Sequence, residues 1–306
     1  MPHASCGIIS FLGTPTPGPD DVRHTIEQAM IPAGSFLMGE SSDRVRARAD
    51  EGPVHRVEVD PFRIDVTTVT TADFARFVDD TGHVTDAERW GASMVFHSAV
   101  RSPPDDVIGA VTGAPWWLMV RGADWRHPDG ALSDIDERAD HPVVHVSWTD
   151  AAAYCAWADR RLPSEAEWEF AARGGQEAAR FPWGDAEVDD AGWRANIFQG
   201  EFPVDNAGTD GFLTTAPVRT FSPNGWGLWQ CVGNVWEWCA DWYDPGYYDI
   251  SPRRDPRGPA GGRTRVIRGG SYLCHPSYCD RYRNAARSAN TPDSSTGNTG
   301  FRTVAC

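Results

Sequence analysis

Two cysteines stand five positions apart in the run Ser271-Tyr272-Leu273-Cys274-His275-Pro276-Ser277-Tyr278-Cys279, with Arg281 and Arg283 just beyond. A thiolate is a nucleophile and a ligand for soft metals, and neighbouring cations favour it over the thiol. Spacing alone leaves four readings of the pair. It is two unrelated buried thiols, since free cysteine is among the most buried residue types. It is a structural disulfide. It is half of a zinc site, which needs two further thiolates or imidazoles that are not evident beside His275. Or it is a redox or soft-metal pair, and two thiolates suit Cu(I) at low coordination.

A second cluster is Asn224-Gly225-Trp226-Gly227-Leu228-Trp229-Gln230-Cys231-Val232-Gly233-Asn234-Val235-Trp236-Glu237-Trp238. Tryptophans there belong to a core more often than to a site. Glu237 between two of them must be paired, protonated or metal-bound if buried. Upstream, Asn196, Asp205, Asn206 and Asp210 offer oxygen ligands in a glycine-punctuated loop whose spacing is not an EF-hand. The polar run from Asn284 through Asn290-Thr291-Pro292-Asp293-Ser294-Ser295 to Asn298-Thr299-Gly300-Phe301-Arg302 either closes the domain or walls a peptide site beside the cysteines.

These segments need a scaffold, and composition limits what it can be. The chain has 306 residues, is 41% hydrophobic and 23% charged, and is therefore globular. Lys plus Arg number 28 against 43 Asp plus Glu, a net charge of −15, which repels a nucleic-acid backbone and tolerates hard cations. No apolar run approaches a membrane span. With 30 Gly, 23 Pro and 14 Trp, many turns and an aromatic core are expected. Seven cysteines, an odd number, do not make a secreted disulfide framework, and the short apolar stretch Gly7–Gly13 has no Lys or Arg ahead of it. The expected compartment is the cytoplasm, and the expected state a monomer.

Residues 1–28, with Thr14-Pro15-Thr16-Pro17-Gly18-Pro19, read as a flexible leader, and residues 29–306 as one domain. Val54–Asp60 alternates as a half-buried strand. Thr71 is expected to cap a helix carrying Phe74, Phe77 and Val78. Thr85–Glu88 and Ser164–Glu167 are capping boxes, the second opening a helix that stops at Gly174-Gly175. A further helix is expected from Thr149 to about Asp159. His141–Val146 reads as a strand, residues 101–140 as structured loop, and Arg265–Gly270 as a short strand entering the cysteine segment.

The motifs together resemble the formylglycine-generating enzymes, or sulfatase-modifying factors. The likeness is carried by Gly269-Gly270-Ser271-Tyr272-Leu273-Cys274-His275 with Ser277-Tyr278-Cys279 and Arg281-Tyr282-Arg283. Arg161-Leu162-Pro163-Ser164-Glu165-Ala166-Glu167-Trp168-Glu169, Ala195–Gly200, Gly233–Trp238 and Asn290–Ser295 add to it. It runs from about Met30 to the C-terminus. The resemblance implies an α+β fold, a single loop-rich mixed domain with little regular structure, related to the C-type lectin fold. It implies oxidation of a cysteine to Cα-formylglycine in a Cys-x-Pro-x-Arg motif of an unfolded sulfatase, with O2 as oxidant and a thiol reductant. Cu(I) would be held by Cys274 and Cys279. Ser271 and Tyr278 take polar roles around the oxygen, and Trp236 and His275 line the pocket. Structural Ca2+ is implied at Asn196, Ile197, Asp210 and Phe212, and at a second set, Gln230, Gly233, Val235 and Glu237, where Gln230 replaces the family's usual Asn. Cys231 and Cys239 are expected to be buried and inert.

Two other readings compete. A non-haem iron sulfoxide synthase of the same superfamily needs a histidine-rich ligand set, normally from an added helical domain, and the pairs His141/His145 and His55/His97 look structural. A non-catalytic lectin-like binding module has no reason to keep paired cysteines in this setting.

Overall fold

The computed structural model describes residues 23–40 and 49–306, so the leader up to residue 22, with Cys6, lies outside the described residues. Four helices each open on a reciprocal capping box. They are α1 (Thr71–Thr81), α2 (Asp86–Trp90), α3 (Trp148–Trp157) and α4 (Glu165–Ala172), capped by Thr70, Thr85, Ser147 and Ser164. In each, the cap hydroxyl accepts the amide of an acidic residue three positions on, whose carboxylate reaches back to the cap amide. Two otherwise orphaned donors are thereby satisfied. The cap of α1 is Thr70 rather than Thr71. Thr71 is already helical and gives its amide to the His141 carbonyl at 2.9 Å. Phe74, Phe77 and Val78 face the core as their spacing predicts.

Fifteen short strands supply the rest of the frame among the described residues. In chain order they begin with β1 (Gln28–Ile31), β2 (Gly34–Met38), β3 (His55–Val59), β4 (Phe62–Asp65), β5 (Ala92–Phe96), β6 (Val107–Val111), β7 (Ala114–Arg121) and β8 (Arg160–Arg161). The remainder are β9 (Gly200–Glu201), β10 (Asp205–Asn206), β11 (Trp236–Trp242), β12 (Arg265–Arg268), β13 (Arg287–Asn290), β14 (Thr299–Gly300) and β15 (Val304–Ala305). One sheet runs β1-β4-β15-β8, another β13-β12-β11-β14, a third β5-β7-β6, and β2-β3 and β9-β10 are hairpins. Short helices, small sheets and long connections make a loop-rich α+β fold.

Three expectations are corrected. The segment 101–140 is not all loop, because β6 and β7 pair within it and β7 pairs with β5. Pro142–Val146 is buried, yet His141–Val146 forms no strand; it meets Thr70 through one bridge at Pro142, and His145 turns to φ 58°. Residues 23–28, read as part of the leader, pack on the domain. His24 bonds Asp65 at 2.8 Å and Tyr154 at 3.2 Å, and Gln28 opens β1.

Helix α4 is buried on every side, including Glu165, Glu167 and Glu169. Buried carboxylates demand partners. Glu165 takes Arg268 at 2.7 Å and a two-pronged contact from Arg287 at 2.8 and 2.7 Å. Glu169 takes Arg173 at 2.7 Å and a second nitrogen of Arg268. Burial alone would raise the Glu169 carboxyl, but Arg173 and Arg268 outweigh it and hold it low. Arg268 and Arg287 face each other in register across β12 and β13. They frame the loop that carries both cysteines of the motif.

Asp241, on β11, is buried and accepts the Glu165 amide at 2.9 Å. Burial first, and then the charge of Glu165, push its carboxyl up to about 8. The folded state therefore holds a proton that the unfolded chain releases near pH 4. Stability from this group is present at low pH and is lost as pH rises toward 8, at about 1.4 kcal/mol per pH unit. Asp241→Asn is expected to flatten this fall and to raise stability at pH 8, read from urea unfolding at several pH values. An unchanged slope would refute the assignment.

Candidate active site

The loop leaves β12 at Arg268 through two glycines. Gly269 sits at φ +91°, where a Cβ would stand 2.6 Å from the Cys231 carbonyl, and Gly270 at φ +72°, 2.8 Å from the Arg281 carbonyl. Only glycine permits both the turn and the approach. The loop then docks on the Gly-Asn-Val-Trp-Glu-Trp segment: Gly233 donates to the Gly269 carbonyl at 2.9 Å, and Tyr272 to the Asn234 carbonyl at 2.9 Å. A tight turn follows, in which the His275 carbonyl accepts the amides of Tyr278, Cys279 and Asp280 at 2.9, 3.1 and 3.2 Å. That turn returns Cys279 to Cys274.

The two thiols are free and hydrogen-bond to one another. They share a cavity of about 330 Å³ with Ser271, Tyr278, Trp236, Arg281 and Asn298. Their environments differ. Cys274 is buried, and burial, then the bond with Cys279, drives its thiol well up. Cys279 is partly exposed, and the hydrogen bond from Cys274 holds its thiol below the usual value. Cys279 is thus the first to become thiolate as pH rises. The Ser271 amide points at the Cys274 sulfur at 3.4 Å. The Ser271 hydroxyl oxygen accepts from the Leu273 amide at 3.3 Å and from Asn298 Nδ2 at 2.8 Å, which leaves its own hydrogen to donate. Tyr278 stacks on Phe202 at 4.2 Å and meets Trp116 edge-on at 5.0 Å. Burial and the two nearby sulfurs raise its phenol, so it stays a donor at neutral pH.

Of the expected site residues, Cys274, Cys279, Ser271, Tyr278 and Trp236 meet on this cavity. His275 does not. Its ring lies outside the lining, with Nδ1 on Ser277 at 2.7 Å and its edge toward Phe198, so its part is played by its main chain. Of the other lining residues, Trp116 and Trp117 carried no sequence assignment to the pocket, while Ser288, Ala289, Thr296 and Thr299 fall in the polar run read as a possible peptide wall. Trp116 and Trp117 come from β7, and Ser288 and Ala289 from β13. Thr296 and Thr299 flank Asn298. The run Ala114-Pro115-Trp116-Trp117-Leu118-Met119-Val120 has the aromatic and β-branched content of a strand, which was the available signal.

Among the described residues no three His, Cys, Asp or Glu side chains gather as a metal cluster. Two sulfurs open on a third side suit a soft, low-coordinate ion. The oxygen ligands were tested on their hydrogen bonding. Asn196 is fully buried, yet its Oδ1 has no protein partner. Nearby, Asp210 accepts the amides of Ile197 at 3.3 Å and Phe212 at 2.9 Å, and burial raises its carboxyl. An orphan oxygen beside a half-buried carboxylate fits a hard cation. The second set does not assemble as expected. Glu237 is taken by the Arg302 fork, 2.6 Å at each oxygen, and by Trp168 Nε1 at 2.7 Å. A cation there would be repelled by Arg302. Gln230 Oε1 is buried without a partner, its amide nitrogen going to the Pro217 carbonyl at 2.6 Å. Cys231 and Cys239 are buried thiols raised by desolvation, Cys231 to about 12.

Residues 14–306 match the sulfatase-modifying factor enzyme 1-like domain. The chain belongs to the sulfatase-modifying factor family. The match reaches back beyond the Met30 boundary. The chain is 59% identical over 280 residues to a formylglycine-generating enzyme of Streptomyces coelicolor, covering 92% of this chain and 89% of that one. It is 54% identical to a formylglycine-generating enzyme of Thermomonospora curvata, covering 90% and 92%. Among solved structures it resembles PvdO from Pseudomonas aeruginosa at 26% identity and a TM-score of 0.68, covering 90% of this chain and 93% of that one.

The thiol asymmetry has a direct test. Iodoacetamide at mildly alkaline pH should label Cys279 and the exposed Cys306 while Cys274 stays unmodified, as read by peptide mapping. Equal labelling of Cys274 and Cys279 would remove the asymmetry.

Proposed function

We propose that this protein oxidises a cysteine of an unfolded sulfatase polypeptide, within Cys-x-Pro-x-Arg, to Cα-formylglycine. The observation that carries the reading is the mutual contact of Cys274 and Cys279 on an accessible cavity, in a chain 59% identical to a formylglycine-generating enzyme. Atoms balance with O2 as oxidant. One oxygen atom enters the aldehyde, the other leaves as water, the substrate sulfur leaves as hydrogen sulfide, and a thiol reductant supplies two electrons and two protons.

Cu(I), when bound by Cys274 and Cys279, supplies the means of bringing O2 into reaction beside the substrate. This chain's own residues do the rest. The two sulfurs leave one side open for the substrate thiol. Trp116, Trp117 and Trp236 exclude water from the cavity wall. The Ser271 hydroxyl, fixed by Asn298, holds a proton for donation next to Cys274. The Tyr278 phenol holds a second beside Cys279. Calcium at Asn196, Ile197, Asp210 and Phe212 would tie the Asn196 segment to the loop reaching Phe212. Free thiols throughout the described body suit a reducing cytoplasm.

The iron reading gains no support from the histidines. His145 is spent on Ser93 and the Pro128 carbonyl, His141 on Thr215, His97 on the Pro203 carbonyl and His83 on Asp150.

Aerobic incubation with Cu(I), a thiol and a Cys-x-Pro-x-Arg peptide should yield an aldehyde that a hydrazine traps, read by mass spectrometry. Cys274→Ser and Cys279→Ser should each abolish it, and full activity of either would sink the two-thiolate assignment. Chelation of calcium should lower the unfolding midpoint. Calcium at a hundredfold over its Kd should restore about 2.7 kcal/mol. Asp210→Asn should remove that response, and an unfolding curve indifferent to chelator would refute the site.

A further inference from the structure

Strand β13 is the outermost strand on its side of the sheet β13-β12-β11-β14. Which of its peptide groups face outward follows from alternation, because an antiparallel residue points its N–H and C=O to one side and the next residue to the other. Trp236 gives its amide to the Asn298 carbonyl on the β14 side. Glu237 therefore faces β12, and its partner Arg268 faces back at it. Ile267 then faces β13 and pairs with Ser288. Arg287 and Ala289 are left with their peptide groups on the open edge.

A separate contact agrees with this parity. The Arg287 carbonyl is taken by the guanidinium of Arg281, a side chain that lines the thiol cavity. The open edge of β13 thus looks into that cavity. At Ala289 no group among the described residues takes the outward N–H or C=O. Ala289 pairs with Val266, a core residue, so its methyl lies on the face opposite Ile267 and Ser288. What Ala289 presents to the cavity is main chain.

We infer that Ala289 is a main-chain docking point for the extended substrate polypeptide, an assignment that rests on the proposed function. One substrate residue donates its N–H to the Ala289 carbonyl and accepts from the Ala289 N–H. The grip is one residue wide, because Arg281 closes the edge at Arg287 and the Asn290 groups face β12. Pairing of this kind holds the backbone and leaves side chains to be read elsewhere. The proline of Cys-x-Pro-x-Arg has no N–H and is not the residue held.

Peptides carrying a backbone ester in place of one amide, at each position except proline, test this on the metal-loaded protein. The ester removes one N–H without adding bulk. With the peptide cysteine replaced by serine, calorimetry reads binding without turnover. One position should weaken binding roughly three- to tenfold, the worth of one hydrogen bond, and the distant ones less than twofold. Ala289→Pro, which removes the outward N–H without breaking a ladder hydrogen bond and places its ring on the same edge, should weaken the all-amide peptide by at least a similar factor. If that variant does not fold, the ester series on the natural chain decides alone. A flat series overturns the docking point even where the cysteine peptide is converted. A peptide neither bound nor converted removes the docking point together with the proposed function.

Discussion

Everything at the candidate site hangs on two carboxylates one helical turn apart. Glu165 and Glu169 of α4 lie on the same face of a fully buried helix and grip Arg268 and Arg287 at the facing ends of β12 and β13. Taking these charges out of water costs about as much as their attraction returns, so the cluster is weak as a source of net stability. Removing one partner is another matter, at about 3–5 kcal/mol for a stranded buried charge. The cluster therefore acts as a specification. It fixes where the loop of Cys274 and Cys279 leaves the sheet and where it returns.

Within that frame the loop is shaped by its main chain. The His275 carbonyl gathers three amides, the glycines admit close backbone approach, and Ser271 aims an amide at one sulfur. The result is two thiols in contact on one cavity but unequal, Cys274 buried and Cys279 partly exposed. A pair built this way is differentiated before any metal or substrate arrives. The aromatic wall adds its own constraint, since Tyr278 is held between Phe202 and Trp116 and cannot swing without unstacking both.

Much of this was legible in the residues. The capping boxes Thr85–Glu88 and Ser164–Glu167 marked the starts of α2 and α4, because capping is a local interaction, whereas the true caps Thr70 and Ser147 of α1 and α3 went unread although both helix starts fell within a residue. The cysteine pair stood out because it sits in one loop, while its choice among four readings, and the parts of Ser271 and Tyr278, came from the family resemblance. Trp116 and Trp117 were not, since their place depends on β7 pairing with β5 and β6, a long-range event hidden by the glycines and prolines around it. Glu237 was recognised as needing a partner, but the identity of that partner, Arg302, is a tertiary fact. His275 was misplaced because spacing does not say which way a side chain turns once its carbonyl anchors a tight turn.

Strand β15 occupies an interior place between β4 and β8, with Val304 opposite Ile64 and Arg161. Ile64 and Val304 lie far apart along the chain, and at ordinary translation speeds roughly 10–50 s separate their synthesis. Through that interval β4 keeps an open edge, the kind of surface that invites wrong pairing. The neighbouring Arg302, counter-ion of Glu237, arrives equally late. A nascent chain thus cannot complete this sheet, or give Glu237 its counter-ion, until residues 302–305 have left the ribosome.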